Sequence, residues 1–137
     1  MENTISTKLD WKNGACCSAN FGAVDTISVT SKTALADNPK AWSPVHMLLS
    51  AAETCFFVTF QMIADKSHVS FSHFSSEATA EIGMPDGKHH AITSITIKPK
   101  VTLINEADRQ KLDVLFQKAE EYCTVANSLN FKVVIAV

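Results

Sequence analysis

One apolar stretch constrains the fold more than any other: residues 42–65, WSPVHMLLSAAETCFFVTFQMIAD. It opens with a helix-start signal. The Ser43 hydroxyl is suited to cap a first turn, and Pro44 fits the first helical position, where a missing N–H costs no hydrogen bond. No glycine or proline follows within the run, so a single long helix is expected. Apolar residues fall on every face of that helix, the pattern of one buried all round. Ser50, Glu53, Thr54, Thr59 and Gln61 interrupt it too often for a membrane span, which leaves the central helix of a globular core.

A chain of 137 residues, 46% hydrophobic and 19% charged, is expected to form one domain over 1–137. The net charge of −2 and the lack of a basic run with interleaved aromatics point to neither nucleic acid nor an anionic membrane surface as partner. The polar start MENTISTKLDWKNG reads as neither a signal peptide nor a lipid anchor. A cytoplasmic location is therefore expected, where thiols stay reduced unless their oxidation is the function. Cys16, Cys17, Cys55 and Cys123 do not form the pattern of a disulfide framework.

Along the chain, Ile5, Leu9 and Trp11 half-alternate before Asn13-Gly14, a strong hairpin signal. Residues 15–21 would pair back, and Ile27 and Val29 mark a third strand, giving a three-stranded meander. Residues 32–40 read as the loop feeding the central helix. Beyond the helix, Val69 and Phe71 alternate on one parity and Ala78, Ala80 and Ile82 on the other, so a bulge is expected near His73 and Phe74. Pro85-Asp86-Gly87 makes a turn, and the return strand sets Ile95, Ile97, Val101 and Leu103 on one face. Pro99 confines that strand to an edge or a bulge. Asn105 then caps a second helix with Asp108 at the capping-box position, and Leu112, Leu115, Phe116 and Ala119 form its apolar stripe. Phe131, Val133, Ile135 and Val137 alternate in a final strand. The expected fold class is α+β: antiparallel sheets with a long central helix and a second amphipathic one, without βαβ alternation.

The motifs of P-loop enzymes, serine hydrolases, HExxH metalloproteases and CxxC proteins are absent from the sequence. Thiol chemistry remains. Two cysteines far apart in sequence do redox work when one becomes a thiolate and the other reaches the resulting sulfenic acid. The competing reading is that Cys55 and Cys123 are small buried apolar residues. Cys16 and Cys17, adjacent on a strand, point to opposite faces, and a zinc site joining one of them to Cys55, Cys123 and a histidine has none of the usual spacings. No cofactor is implied. His89-His90 reads as a solvated hairpin. The phenylalanines at 56, 57, 60, 71, 74, 116 and 131 read as core, with a subset suited to line an apolar pocket.

Ser43-Pro44, then LLSAAETCFF with Cys55 eleven residues after the proline, and the later AEEYCTVANSL with Cys123, resemble the osmotically inducible protein C and organic hydroperoxide resistance family over essentially the whole chain. The resemblance implies an intertwined homodimer with its two central helices in the middle and pockets at the subunit interface. It implies a thiol-dependent peroxidase in which Cys55 attacks an organic hydroperoxide, Cys123 resolves the sulfenic acid as a disulfide, and a dithiol or dihydrolipoyl group is the reductant. The peroxidase members place an arginine on the N-terminal strands and a glutamate just after the proline. Here Val45 follows Pro44, and Arg109, the chain's one arginine, is expected in the second helix. Other branches carry the carboxylate one position later, at His46 here.

Glu53 and His46 are the candidate supporting residues. Glu53 precedes Cys55 by two positions, about 160° away around the axis, so the two do not share a pocket from one helix. It is read as a hydrogen-bonded structural carboxylate, or as pairing across a dimer with His46, Lys12 or Lys32. His46 sits where the helix begins and supplies a cation only if a carboxylate raises its pKa. The alternative to a peroxidase is a non-enzymatic member binding a small apolar ligand at the interface.

Overall fold

The computed structural model describes residues 4–31 and 40–137. All but the last residue of the loop expected over 32–40 lies outside them. The chain divides into two compact units, Met1–Leu48 and Leu49–Val137.

The first unit is built on the expected meander. β1 (Lys8–Asn13), β2 (Cys16–Asn20) and β3 (Ile27–Val29) pair antiparallel in that order. Asn13 pairs with Cys16, so the tight turn is Gly14-Ala15, one residue beyond the dipeptide that signals it. Gly14 takes φ +50°, a conformation glycine adopts without strain, and its carbonyl accepts from the Trp11 indole at 2.9 Å. Cys16 and Cys17 are both half-buried in β2. After the undescribed loop, Trp42 pairs with Val29 as an isolated parallel bridge, donating to the Ser28 carbonyl and accepting from the Thr30 amide at 2.8 Å each. Ser43, fully buried, then caps α1 (Pro44–Lys66): its Oγ accepts from the His46 amide at 3.2 Å.

In the second unit α1 presents a buried stripe, Ala52, Phe56, Phe60 and Ala64, at a spacing of four. Residues four apart lie one above another on a helix, so this is one face. Phe56 and Phe60 meet Phe74 and Phe116, and Phe60 also meets Phe71, with ring centroids 5.3 to 6.4 Å apart. Burying one such ring contributes about 1.5–3 kcal/mol. The helix is not covered on its other side, contrary to its all-round apolarity. Ala51, Thr54, Gln61, Val58 (46%) and Met62 (57%) are exposed. A chain this small has too little surface to wrap a helix of 23 residues. By length and composition α1 would also pass for a membrane-spanning helix; its aromatic stripe is packed into the core of this unit.

The second sheet has the order β4–β5–β6: β4 (Phe71–Gly83) is antiparallel to β5 (Ala91–Leu103), and β6 (Lys132–Ile135) is parallel to β5. Phe71 opposes Leu103 while His73 opposes Thr102, which places the expected bulge at Ser72, one residue early. In the hairpin turn Gly87 takes φ +73° and donates to the Met84 carbonyl at 2.9 Å. The Asp86 carboxylate accepts from the Lys88 and His89 amides at 2.9 and 2.7 Å and bonds the His89 ring. Those bonds, the His89 side chain first, hold Asp86 down at a pKa of about 2.

Pro99 stands in the central strand but, as expected, at an edge, a local one beyond the end of β6. The Ile97 carbonyl accepts from Ala136 at 2.9 Å, on the β6 side. Pro99, two residues on, turns its nitrogen the same way, past the last β6 partner, Ile135 opposite Ile97. Ile95, Ile97, Leu103 and Val133 are buried along this sheet.

The Asn105 side chain accepts from Ala107 at 3.1 Å, as a cap should. Asp108 does not close a capping box: its carboxylate pairs with Lys111 at 3.2 Å, and Glu106–Lys111 winds as a 3-10 helix. α2 (Leu112–Glu121) therefore starts later than expected, and Arg109 precedes it. Leu112, Leu115, Phe116 and Ala119 are all buried, as the stripe required. A single turn, α3 (Thr124–Asn127), follows before β6.

Candidate functional site

The second unit brings together two thiols that are 68 positions apart in sequence. Cys55 sits beside Phe56 in α1, at the margin of the buried stripe, and is half-buried. Cys123 occupies the joint between α2 and α3, with extended backbone and 2% exposure. Cys55 neighbours Cys123 and acts on its thiol. The Val125 amide in α3 donates to Cys55 Sγ at 3.5 Å. Burial pushes the Cys123 thiol up from its ordinary value, with the neighbouring Cys55 adding to it, while the Ala126 and Val125 amides pull the other way. Cys123 is accordingly held as a neutral thiol beside a more exposed partner.

Glu53 and His46 do not join this pair. At roughly 100° per residue, Glu53 flanks the buried stripe on the side opposite Cys55. There its carboxylate accepts from the Ser76 hydroxyl of β4. His46 belongs to the helix cap, where its Nδ1 and the Ser43 hydroxyl are hydrogen-bonded at 2.7 Å. Arg109 forms a two-pronged pair with Glu106 at 2.7 and 2.9 Å. Among the described residues no lysine, arginine or histidine is hydrogen-bonded to either sulfur. The contact that sequence reasoning missed is the Val125 N–H. A backbone donor leaves no mark in residue type; only the turn between α2 and β6 hinted at it.

A family model described as "OsmC-like protein" matches residues 37–137, which contain both cysteines and every element from α1 onward. The chain belongs to this family. The fold of this OsmC-like protein is that of an OsmC-like protein of unknown function from Vibrio cholerae, at 19% identity and a TM-score of 0.85, covering 96% of each chain. An OsmC-like protein from Mycoplasma pneumoniae matches at 14% identity and a TM-score of 0.82, over 100% of this chain and 97% of that one. The organic hydroperoxide resistance protein of Bacillus subtilis matches at 17% identity and a TM-score of 0.67, over 96% of each. No curated protein matches the sequence.

Proposed function

We propose that this OsmC-like protein is a thiol-dependent peroxidase of organic hydroperoxides that works through Cys55 and Cys123. The observation that carries the reading is the Val125 amide, which donates to Cys55 Sγ and also acts on the neighbouring Cys123 thiol. The more exposed Cys55, as thiolate, attacks the terminal peroxide oxygen. The O–O bond breaks, Cys55 becomes a sulfenic acid, and the alkoxide leaves as an alcohol after taking a proton. Cys123 then attacks the Cys55 sulfur, forming a disulfide and releasing water. A dithiol, of the dihydrolipoyl type, returns the disulfide to two thiols and is itself oxidised to a disulfide. The Val125 amide supplies a hydrogen bond to the sulfur, a weaker substitute for the arginine implied for the peroxidase relatives.

The substrate class and the assembly rest on one surface. Val58 and Met62, both exposed, lie beside Cys55 around the α1 axis. A second copy laid on this face would form a homodimer, bury its apolar surface and give the thiol an apolar rim suited to an organic rather than an inorganic peroxide. The protein would act in the cytoplasm, where a dithiol reductant is available.

A second reading is a non-enzymatic member that binds a small apolar ligand at that interface; that no basic side chain among the described residues bonds either sulfur favours it. Intact-mass and peptide mapping after one equivalent of an organic hydroperoxide decides between them, with Cys55→Ser and Cys123→Ser as controls. A Cys55–Cys123 disulfide formed within seconds and lost in both variants is the expected result. Thiols that stay reduced over minutes would leave the ligand-binding reading.

A further inference from the structure

The other flank of α1 carries a feature the thiol chemistry does not use. A groove of about 310 Å³ opens between α1 and β4, and the Glu53 carboxylate stands in it. The rings of Phe57 and Phe74 line it, packed against each other with centroids 4.8 Å apart and tilted by 53°, with Ser75 and Ser76 of β4 at its edge. Glu53 is only half-exposed, and one of its oxygens, Oε2, is engaged by Ser76. Among the described residues no lysine, arginine or histidine forms an ion pair with it. The Thr54 hydroxyl at the rim is turned back to the Ser50 carbonyl at 2.7 Å and is not offered to the groove.

A carboxylate that meets no basic side chain among the described residues attracts a positive group. An aromatic wall beside a carboxylate also suits an ammonium group, which takes charge from one and ring contact from the other. A serine hydroxyl fixes the carboxylate so that Oε1 remains for the ligand. We infer that the groove formed by Glu53, Phe57, Phe74 and Ser76 is a binding site for a small organic ammonium ion. Its volume suits an alkylammonium or quaternary ammonium head rather than a whole nucleotide or peptide. Because Glu53 and Cys55 flank the buried stripe on opposite sides, the site is independent of the thiol pair and of its proposed peroxidase activity.

The test is a titration of the full chain with n-butylammonium and tetramethylammonium chloride at constant ionic strength, followed by the NMR signals of the Phe57 and Phe74 rings. n-Butanol serves as the neutral analogue. Saturable shifts of those rings with both cations and not with butanol are expected. Glu53→Gln, which keeps an acceptor for Ser76, should weaken binding about tenfold or more. Phe57→Leu should weaken it less, and Cys55→Ser should leave it unchanged. Equal shifts with butanol, an undiminished affinity in Glu53→Gln, or ring signals that do not saturate would each overturn the assignment. A Glu53→Gln variant that binds the cations as before but changes its self-association would show that a basic group of a second copy is the partner. Should Glu53→Gln fail to fold, the ring shifts of the unaltered protein and their competition by salt decide the matter alone.

Discussion

The two faces of α1 are both apolar and have opposite fates. Ala52, Phe56, Phe60 and Ala64 are at most 1% exposed, locked among the aromatic rings of β4 and α2. Ala51, Val58 and Met62, half a turn away, face outward. Composition does not distinguish them; what does is that the chain has only one sheet face and one amphipathic helix to offer in this unit. Apolarity tells that a surface wants cover, and only the remaining chain tells whether cover is supplied from within. Cys55 sits on the seam between the two faces, which is where a group must be if it is to be shielded on one side and approached from the other.

The sharpest test of this contrast is a pair of substitutions. Phe60→Ala should cost about 3–5 kcal/mol in urea unfolding, because the cavity it leaves is enclosed by other rings. Val58→Asp on the outer face should change the stability of the dilute chain by no more than about 0.5 kcal/mol, while sedimentation shows the proposed dimer turned to monomer. A Val58 variant as damaged as Phe60→Ala at every protein concentration would erase the distinction.

At the seam, Val125→Pro removes the amide that reaches Cys55, in the first turn of α3, where proline's fixed φ is acceptable. Alkylation of Cys55 by iodoacetamide should slow about tenfold, as expected for losing one hydrogen bond to an ionised acceptor, and Val125→Ala should not slow it. On the covered side, the buried Cys123 thiol is raised above its ordinary 9.0. A raised group lends its stability below the unfolded-state value and loses it as pH rises toward the folded one, because the unfolded chain releases its proton first. Urea midpoints should therefore fall above pH 9.0 and do so less in Cys123→Ala. The smallest effect belongs to the exposed hairpin, remote from either face. Asp86 is lowered from 3.8 to about 2, so its contribution is present above pH 3.8 and fades as pH falls toward 2. His89→Ala should flatten that acid limb slightly.

Much of the fold was legible because it is written in short-range pattern. The stripe at 112, 115, 116 and 119, the cap at Ser43 and the change of parity after Phe71 each follow from a few neighbouring residues. Both cysteines were legible as a pair only through the family resemblance. What failed is equally local in cause. The Asn105 cap was right, but Asp108 had a nearer partner in Lys111, and the resulting 3-10 turn moved Arg109 out of α2. Pro99 does stand at an edge, but a local one within the central strand, because sequence does not give the length of a neighbouring strand. The Ser76 bond to Glu53 and the Val125 bond to Cys55 join residues 23 and 70 positions apart, and no window on the sequence contains them.

The shortness of β6 beside β5 has a consequence for how the protein behaves in a crowded solution. β5 runs to Leu103, but its partner ends opposite Ile97, so the backbone groups of Pro99, Val101 and Leu103 on that side have no strand beside them. Lys98, Pro99 and Lys100 open that bare length, two exposed cations around a residue that has no N–H to give. An incoming strand would meet repulsion between like charges and a missing rung at the first positions where it must pair. The proline that stands just past the end of β6 also keeps stray strands from lengthening the sheet, so the protein carries its own guard against edge-to-edge aggregation.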